Sequence, residues 1–366
     1  MKGNYKTLVD FAEEIERIEK SHQDYIVNTH AVEMVNDSTL ILGHRGEVNF
    51  SLTNHAHGQV AGNFEIPKKF YDRIAREHPG LRSSIVNRMF WDGTEKRMIR
   101  TLDGSARAFV SDKFRPYDNH HVMASLMPSL KSIRDSSGLE IGSCSLTEKK
   151  LFLEVTFPGI QAEVKKGDVV RAGMIISNSE VGAGSLRVEG LVWRLWCTNG
   201  AISKSIFSKH HVGRRIGGEI EDYSVFKDET IMADLMAFRL KLRDIVEHTI
   251  SHAWIEAEAG KMRAGLSREI KEPEMMVKLV QKEFDLQERE SKAIFKNLCE
   301  EREYTQYGLG NSITALAREL DDKDRAYDLQ KVGYEILTLP NKNWESLHKN
   351  SIILKETDEE PLDVLA

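Results

Sequence analysis

The run KRMIRTLDGSARAFVSD, residues 96–112, decides how the rest of the chain is read. Asp103-Gly104 stands between two alternating runs. This dipeptide supplies the pair of positive-φ residues that a two-residue hairpin needs. The spacing predicts two antiparallel strands. Similar short β-like runs with turn residues between them continue from about residue 81 to 225. SCSLTEKKLFLEVTF and GDVVRAGMIISNSEV read as strands, and GSLRVEGLVWRLWCTNGAI as two more. HHVMASLMPSLKSI interrupts them as a helix, for which Asp118 or Asn119 serves as N-cap.

On the N-terminal side the pattern is mixed. Leu8, Phe11, Ile15 and Ile18 recur at helical spacing among charges, which predicts an amphipathic helix over 6–20. Residues 25–35 and 38–43 read as strands around an Asn-Asp-Ser turn. Thr53 or Asn54 caps a short helix ending near Gly62; Pro67 opens a second, and Pro79-Gly80 closes it. On the C-terminal side, residues 228–258 and 273–300 are charged and helical in period, with Met and Leu on one face, and a shorter helix follows at 311–320. The expected fold is α+β: a mainly antiparallel central sheet with N-terminal helices and a long-helix C-terminal region. The expected organisation is a mixed region over 1–80 packed on the core, a β-rich core over 81–227, a helical region over 228–350 and a disordered acidic tail over 351–366.

A chain of 366 residues with 40% hydrophobic and 30% charged residues suits a soluble globular protein. Its net charge of −6 excludes polyanion binding by overall charge, so any nucleic-acid role needs a local basic surface. Three cysteines without metal spacing predict a reduced, cytoplasmic setting. The N-terminal residues lack the apolar core of a secretory signal, and no run is long enough to span a membrane.

One strip departs from this acidic average. From Gly190 to Gly218 there is no Asp or Glu. Trp193, Arg194, Lys204, Lys209, His210, His211, Arg214 and Arg215 combine cations with an aromatic ring. Sequence-tolerant binding of single strands needs that combination: phosphates are neutralised and bases stack. Trp193 and Trp196 face opposite sides of a strand, so at most one offers a stacking face. A second segment, SDKFRPYDNH, alternates Lys113, Phe114, Arg115 and Tyr117, with Arg107 upstream on the hairpin. The alternative for the strip is aromatic core with a solvated basic surface; for the second segment it is a capped strand-to-helix turn, with Asp118 or Asn119 as the N-cap.

SNSEVGAG places Asn178, Ser179, Gly182 and Gly184 in either a tight turn or a phosphate-contacting loop, with Glu180 opposing phosphate. CTNGA reads as Cys197 entering an Asn199-Gly200 turn, or as a nucleophile if His210 or His211 folds back on it. YTQYGLGNSITALAREL reads as a Gly corner followed by a helix capped near Asn311 or Ser312, whose free N–H groups can hold an anion. The His groupings 55/57, 120/121, 210/211 and 248/252 lack a carboxylate partner set. No metal and no cofactor is expected.

Four ordered segments resemble a known family: LTNHAHGQVAGNFEIPKKFY, ARAFVSDKFRPYDNHHV, NSEVGAGSLRVEGLVWRLWCTNG and YTQYGLGNSITALARE, together spanning about residues 50–330. They are similar to the phage- and plasmid-like proteins of domain-of-unknown-function family 932. The resemblance implies a prophage or other mobile-element setting, in which replication, recombination, transfer and evasion of host defence are the expected roles. The leading expectation is a non-enzymatic, homo-oligomeric protein that binds single-stranded DNA, protecting or annealing it. One alternative is a metal-assisted enzyme acting on nucleotides or nucleic acid, with Glu180, His120 and His211 converging in a cleft. Another is a regulatory or anti-defence protein that binds a host protein.

Overall fold

A computed structural model describes residues 3–5, 7–35, 38–43, 48–114, 117–195, 199–209 and 251–357, with scattered helical positions between 229 and 244. The fold is α+β. Thr7 accepts from the Asp10 N–H and starts α1 (Leu8–Ser21), which buries Phe11, Ile15 and Ile18 as their spacing predicts. The 96–112 run forms the expected hairpin, β6 (Lys96–Leu102) and β7 (Ser105–Ser111). Its corner residues, Asp103 and Gly104, have φ of 49° and 78°.

The hairpin belongs to a six-stranded sheet in the order β2-β6-β7-β5-β4-β3, with β2 (Gln23–Asn28), β3 (Val32–Met34), β4 (Thr39–Leu42) and β5 (Val48–Leu52). All its pairs are antiparallel except β5 with β7. Residues 96–111 therefore share one sheet with residues 23–52, and a boundary at residue 80 cuts through that sheet. α2 (Asn54–Asn63), α3 (Lys68–Glu77) and α4 (Pro79–Asp92) accompany it. Thr53 caps α2 by accepting from the Ala56 N–H. α3 ends at its C-cap His78, directly before Pro79 as expected, and Pro79 in turn begins α4. This helix escapes a periodicity reading because it buries Arg82, Ser83 and Asn87 beside Val86 and Phe90.

The second sheet is antiparallel in the order β1-β8-β9-β10-β11-β12. Its strands are β1 (Gly3–Tyr5), β8 (Glu140–Leu146), β9 (Leu151–Lys165), β10 (Asp168–Asn178), β11 (Leu186–Arg194) and β12 (Asn199–Lys209). Alternate side chains go to opposite faces. Leu153, Val155, Met174, Ile176, Val188 and Val192 join α1, α5 (Asn119–Ser137) and α6 (His252–Leu266) in the largest core. Phe152, Ile175, Leu191 and Ile202 occupy the other face.

The C-terminal helices are α7 (Pro273–Glu283), α8 (Glu288–Glu301), α9 (Gln306–Glu319), α10 (Lys323–Leu337) and α11 (Asn341–Thr357), packed around Met276, Val280, Ile294, Leu298, Leu309, Ile313 and Trp344. Three expectations change here. The 228–258 run is interrupted at Ser251, which is extended and caps α6 through the Trp254 N–H. The 273–300 run divides into α7 and α8, with Asp285 between them at φ 48°. Residues 351–357 are helical, with Ser351 buried, rather than part of an acidic tail. No helix is long and apolar enough to cross a membrane among the described residues.

Candidate functional site

The outer face of the second sheet is only partly covered by α9 and α10. A cleft of about 470 Å³ lies between the sheet and these helices, lined by Ser143, Phe152, Glu154, Trp193, Asn199, Gly200, Arg318, Lys323, Tyr327 and Gln330 among others. It adjoins a hollow of about 510 Å³ through the shared residues Asn4 and Lys323. That hollow adjoins a third, of about 390 Å³, through Asn54, Glu148 and Lys149. Neighbouring hollows thus share lining residues, and the middle part of this groove is lined by Glu148, Asp321, Asp322 and Asp324 as well as by Lys149 and Lys323. Glu148 and Asp322 sit in this groove as helix caps, Glu148 accepting from the His55 N–H of α2 and Asp322 from the Asp324 and Arg325 N–H groups of α10.

The cleft owes its shape to particular residues. Gly200 stands opposite Trp193 in the β11–β12 ladder. A Cβ there would lie 2.8 Å from Leu191 Cδ1 and 3.2 Å from Trp193 Cε3, so glycine makes room for the half-buried indole. Asn199 anchors β12 to α9: its Nδ2 donates to Thr314 Oγ1 at 2.6 Å. Its Oδ1 is buried and has no hydrogen-bond partner among the described residues. On the outer face, the face of Trp193, Tyr327 donates to the buried Glu189, which also pairs with Lys331 Nζ at 2.8 Å. These contacts fix α10 against the sheet.

Glu154 is the acid of the cleft. Burial pushes its carboxyl above the usual carboxylate range, although Ser143 and Gln330 hydrogen-bond to it and Lys323 attracts it. Lys323 Nζ itself donates to the Leu320 carbonyl at 3.2 Å. Nothing in composition marks Glu154. The available signal is a lone acid in the apolar run Leu151–Phe157; Ser143 faces it from the preceding strand β8, and Gln330 and Lys323 come from α10, far away in sequence.

Most of the residues selected from sequence stand elsewhere. Arg107 is buried and pairs with Glu180 at 2.8 Å. Glu180 also accepts from the Asn119 N–H at 2.7 Å. Burial alone would raise the Glu180 carboxyl, but Arg107, the Asn119 N–H and Arg100 together hold it below the usual range. Neither residue is open to a phosphate or to a His120–His211 cleft. Tyr117 is buried and donates to Asp234 at 2.7 Å, so it is no stacking platform. Arg194 makes two bonds to Asp168, each 2.8 Å, and lies over the Tyr307 ring on the inner face of the sheet. Its charge is neutralised by an acid from outside the acid-free strip.

Asn178 and Ser179 hold backbone, as a turn requires. Asn178 donates to the Tyr117 carbonyl, and Ser179 Oγ accepts from the Ala183 N–H. Gly182 adopts φ 75°, and Gly184 lies against Lys150. Asn199 and Gly200 are strand rather than turn. Asn311 and Ser312 lie inside α9, whose cap is Thr305, so they present no helix N-terminus to an anion. Lys113 is exposed. Lys204 and Lys209 lie on β12, which leaves the cleft at Asn199; their side chains, with Arg115, Trp196, Cys197, His210, His211, Arg214, Arg215 and His248, lie outside the described residues.

Of the histidines, His57 Nδ1 shares a 2.8 Å hydrogen bond with the Tyr71 hydroxyl, and His55 Nε2 meets the Val181 carbonyl at 3.0 Å. One trio that sequence spacing does not suggest, Glu19, His22 and Asp118, has its ligand-type atoms within 4.8 Å of one another. There Arg100 already pairs with Asp118 at 2.8 Å. No family model, no curated protein and no solved structure matches this chain.

Proposed function

We propose that the protein binds single-stranded nucleic acid and holds one nucleotide of the strand in the cleft. The observation that carries this reading is Trp193, half-buried beside Gly200 in a cleft that also receives Arg318 and Lys323. An indole face accepts any base by stacking, and cations at the mouth attract its phosphate. Beyond Lys323 the neighbouring hollow carries Glu148, Asp321, Asp322 and Asp324 beside Lys149, so the phosphate contact rests on the cations of the cleft itself. Lys204 and Lys209 of the basic strip lie on β12, which begins at the cleft, and belong to the same reading. The resemblance to mobile-element proteins adds a setting in which single strands must be protected or annealed, by a homo-oligomer or a single chain.

This reading moves the contact surface away from Arg107, Tyr117 and Arg194. Fluorescence anisotropy with a labelled single strand, at low and moderate salt and with duplex as control, tests it. Expected is binding that prefers single strands and weakens steeply with salt. Trp193→Ala is expected to cost about 1–3 kcal/mol of affinity. Absence of binding at low salt, or full affinity in Trp193→Ala, overturns the reading.

A further inference from the structure

We infer that the protein carries a buried hydration site, a single water molecule held between Asn199 of β12 and Asn311 of α9 on the inner face of the second sheet. The site lies on the face opposite the Trp193 cleft and owes nothing to what that cleft binds.

Strand register sets the Asn199 side chain on the inner face. Asn199 stands opposite Arg194 in the β11–β12 ladder, and Arg194 stands opposite Val170 in the next. Residues directly opposite one another share a face. Asn199 therefore sits with Arg194, whereas Gly200 sits with Trp193. On α9, Tyr307, Asn311 and Thr314 recur at helical spacing and present one face of the helix. Where that face meets the sheet there is a cavity of about 10 Å³, whose polar lining is Arg194, Asn199, Tyr307, Asn311 and Thr314. That is room for one water molecule and for nothing larger.

Two atoms of this wall lack partners. Asn199 Oδ1 is an acceptor and Asn311 Nδ2 a donor, and neither makes a hydrogen bond. Both residues are 3% exposed. Asn311 Nδ2 lies near the Tyr307 hydroxyl without hydrogen-bonding geometry. The Asn199 amide is held in its orientation: Nδ2 donates to Thr314 Oγ1 at 2.6 Å, and that hydroxyl donates in turn to the Asn311 carbonyl at 3.0 Å. Turning the amide over to serve Oδ1 would break this chain. A buried polar atom left unpaired is costly, and ordered water is the usual partner where space permits it.

The chemistry of the wall selects the occupant. A cation would meet the Asn311 N–H and the Arg194 guanidinium. An anion would meet the Asn199 oxygen. Only a molecule that both donates and accepts satisfies the two orphans. Water donates to Asn199 Oδ1 and accepts from Asn311 Nδ2. Its second proton has an acceptor in the Tyr307 hydroxyl oxygen, whose own proton goes to Asp168 at 2.8 Å. Three hydrogen bonds are the usual complement of a buried water. The water thus joins the Asp168–Tyr307 pair to the first residue of β12.

A high-resolution crystal structure of the full chain tests the site. Expected is one solvent peak about 2.7–3.2 Å from both Asn199 Oδ1 and Asn311 Nδ2. An empty cavity, a direct bond between the two amides, or a peak at the shorter, roughly 2.3–2.6 Å distances of a bound cation overturns the inference. In solution, magnetic relaxation dispersion of the water signal counts long-lived internal waters. Asn311→Leu removes the donor and fills the cavity with a side chain of similar size, and should lose one such water relative to the unaltered chain. An undiminished count in a folded Asn311→Leu, its fold checked by circular dichroism, also overturns it. If that variant does not fold, the solvent peak in the unaltered chain decides alone.

Discussion

Arg107 Nη1 lies 2.8 Å from Glu180 Oε2, and this buried pair joins the two sheets of the protein. Arg107 belongs to the hairpin of the first sheet; Glu180 follows the last residue of β10 in the second. Arg100, fully buried one strand away, donates to the Glu180 carbonyl at 2.8 Å and pairs with Asp24 and Asp118. Loss of one partner leaves a charge buried without compensation. Arg107→Met or Glu180→Leu is therefore expected to cost about 3–5 kcal/mol of stability by urea unfolding. The double replacement should recover most of that loss, because two apolar side chains leave no orphan charge. A double variant as unstable as the worse single one would show that the pair contributes more than mutual compensation.

The same pair sets part of the acid limit. The folded-state pKa of Glu180 is held below its unfolded value, so its contribution is present above the unfolded pKa and is lost as pH falls through the folded one. His57 acts in the same direction for a different reason. Burial, with Arg82 and Lys68 nearby, lowers its ring pKa to about 4. The unfolded chain then binds the extra proton first, and stability falls as pH drops from the ordinary histidine value of about 6.5 toward 4. Solvent reaches part of the ring, so the effect should be on the order of 2 kcal/mol. His57→Asn should flatten the stability–pH slope in that window while leaving the Glu180 slope below it. An unchanged slope between those limits would remove His57 as its cause.

The elements legible in the sequence are those governed by local rules. α1 is visible because four apolar residues repeat at helical spacing, and the 96–112 hairpin because Asp-Gly supplies its turn. α9 is hidden by its glycines, which imitate a corner. Gly310 and Gly333 are in fact points where α9 and α10 cross closely: a Cβ on Gly310 would lie 2.5 Å from Leu337 Cγ, and one on Gly333 2.3 Å from Thr314 Cγ2. Such a contact depends on a helix that sequence spacing does not bring near. Charge behaves the same way. Arg107 and Arg194 look free because their acids are 73 and 26 residues away. Glu154 looks like an ordinary strand residue because Gln330 and Lys323 arrive from another element.

Residue Arg194 separates the two meanings a basic residue in this strip can have. It lies next to Trp193 in sequence but projects to the opposite face, where Asp168 accepts from both Arg194 and the Tyr307 hydroxyl. The trio ties β10 and β11 to α9. Arg194→Ala would strand the Asp168 carboxylate in a site with little water. The expected loss is about 3–5 kcal/mol in stability, readable as a lower urea midpoint. Affinity for a single strand, measured per folded molecule below that midpoint, should be unchanged, because the guanidinium is not in the cleft. Trp193→Ala should give the reverse pattern, with a small change in midpoint and a large one in affinity. If Arg194→Ala instead weakens binding while the midpoint holds, the inner face of the sheet carries the nucleic acid, and the cleft on the outer face does not.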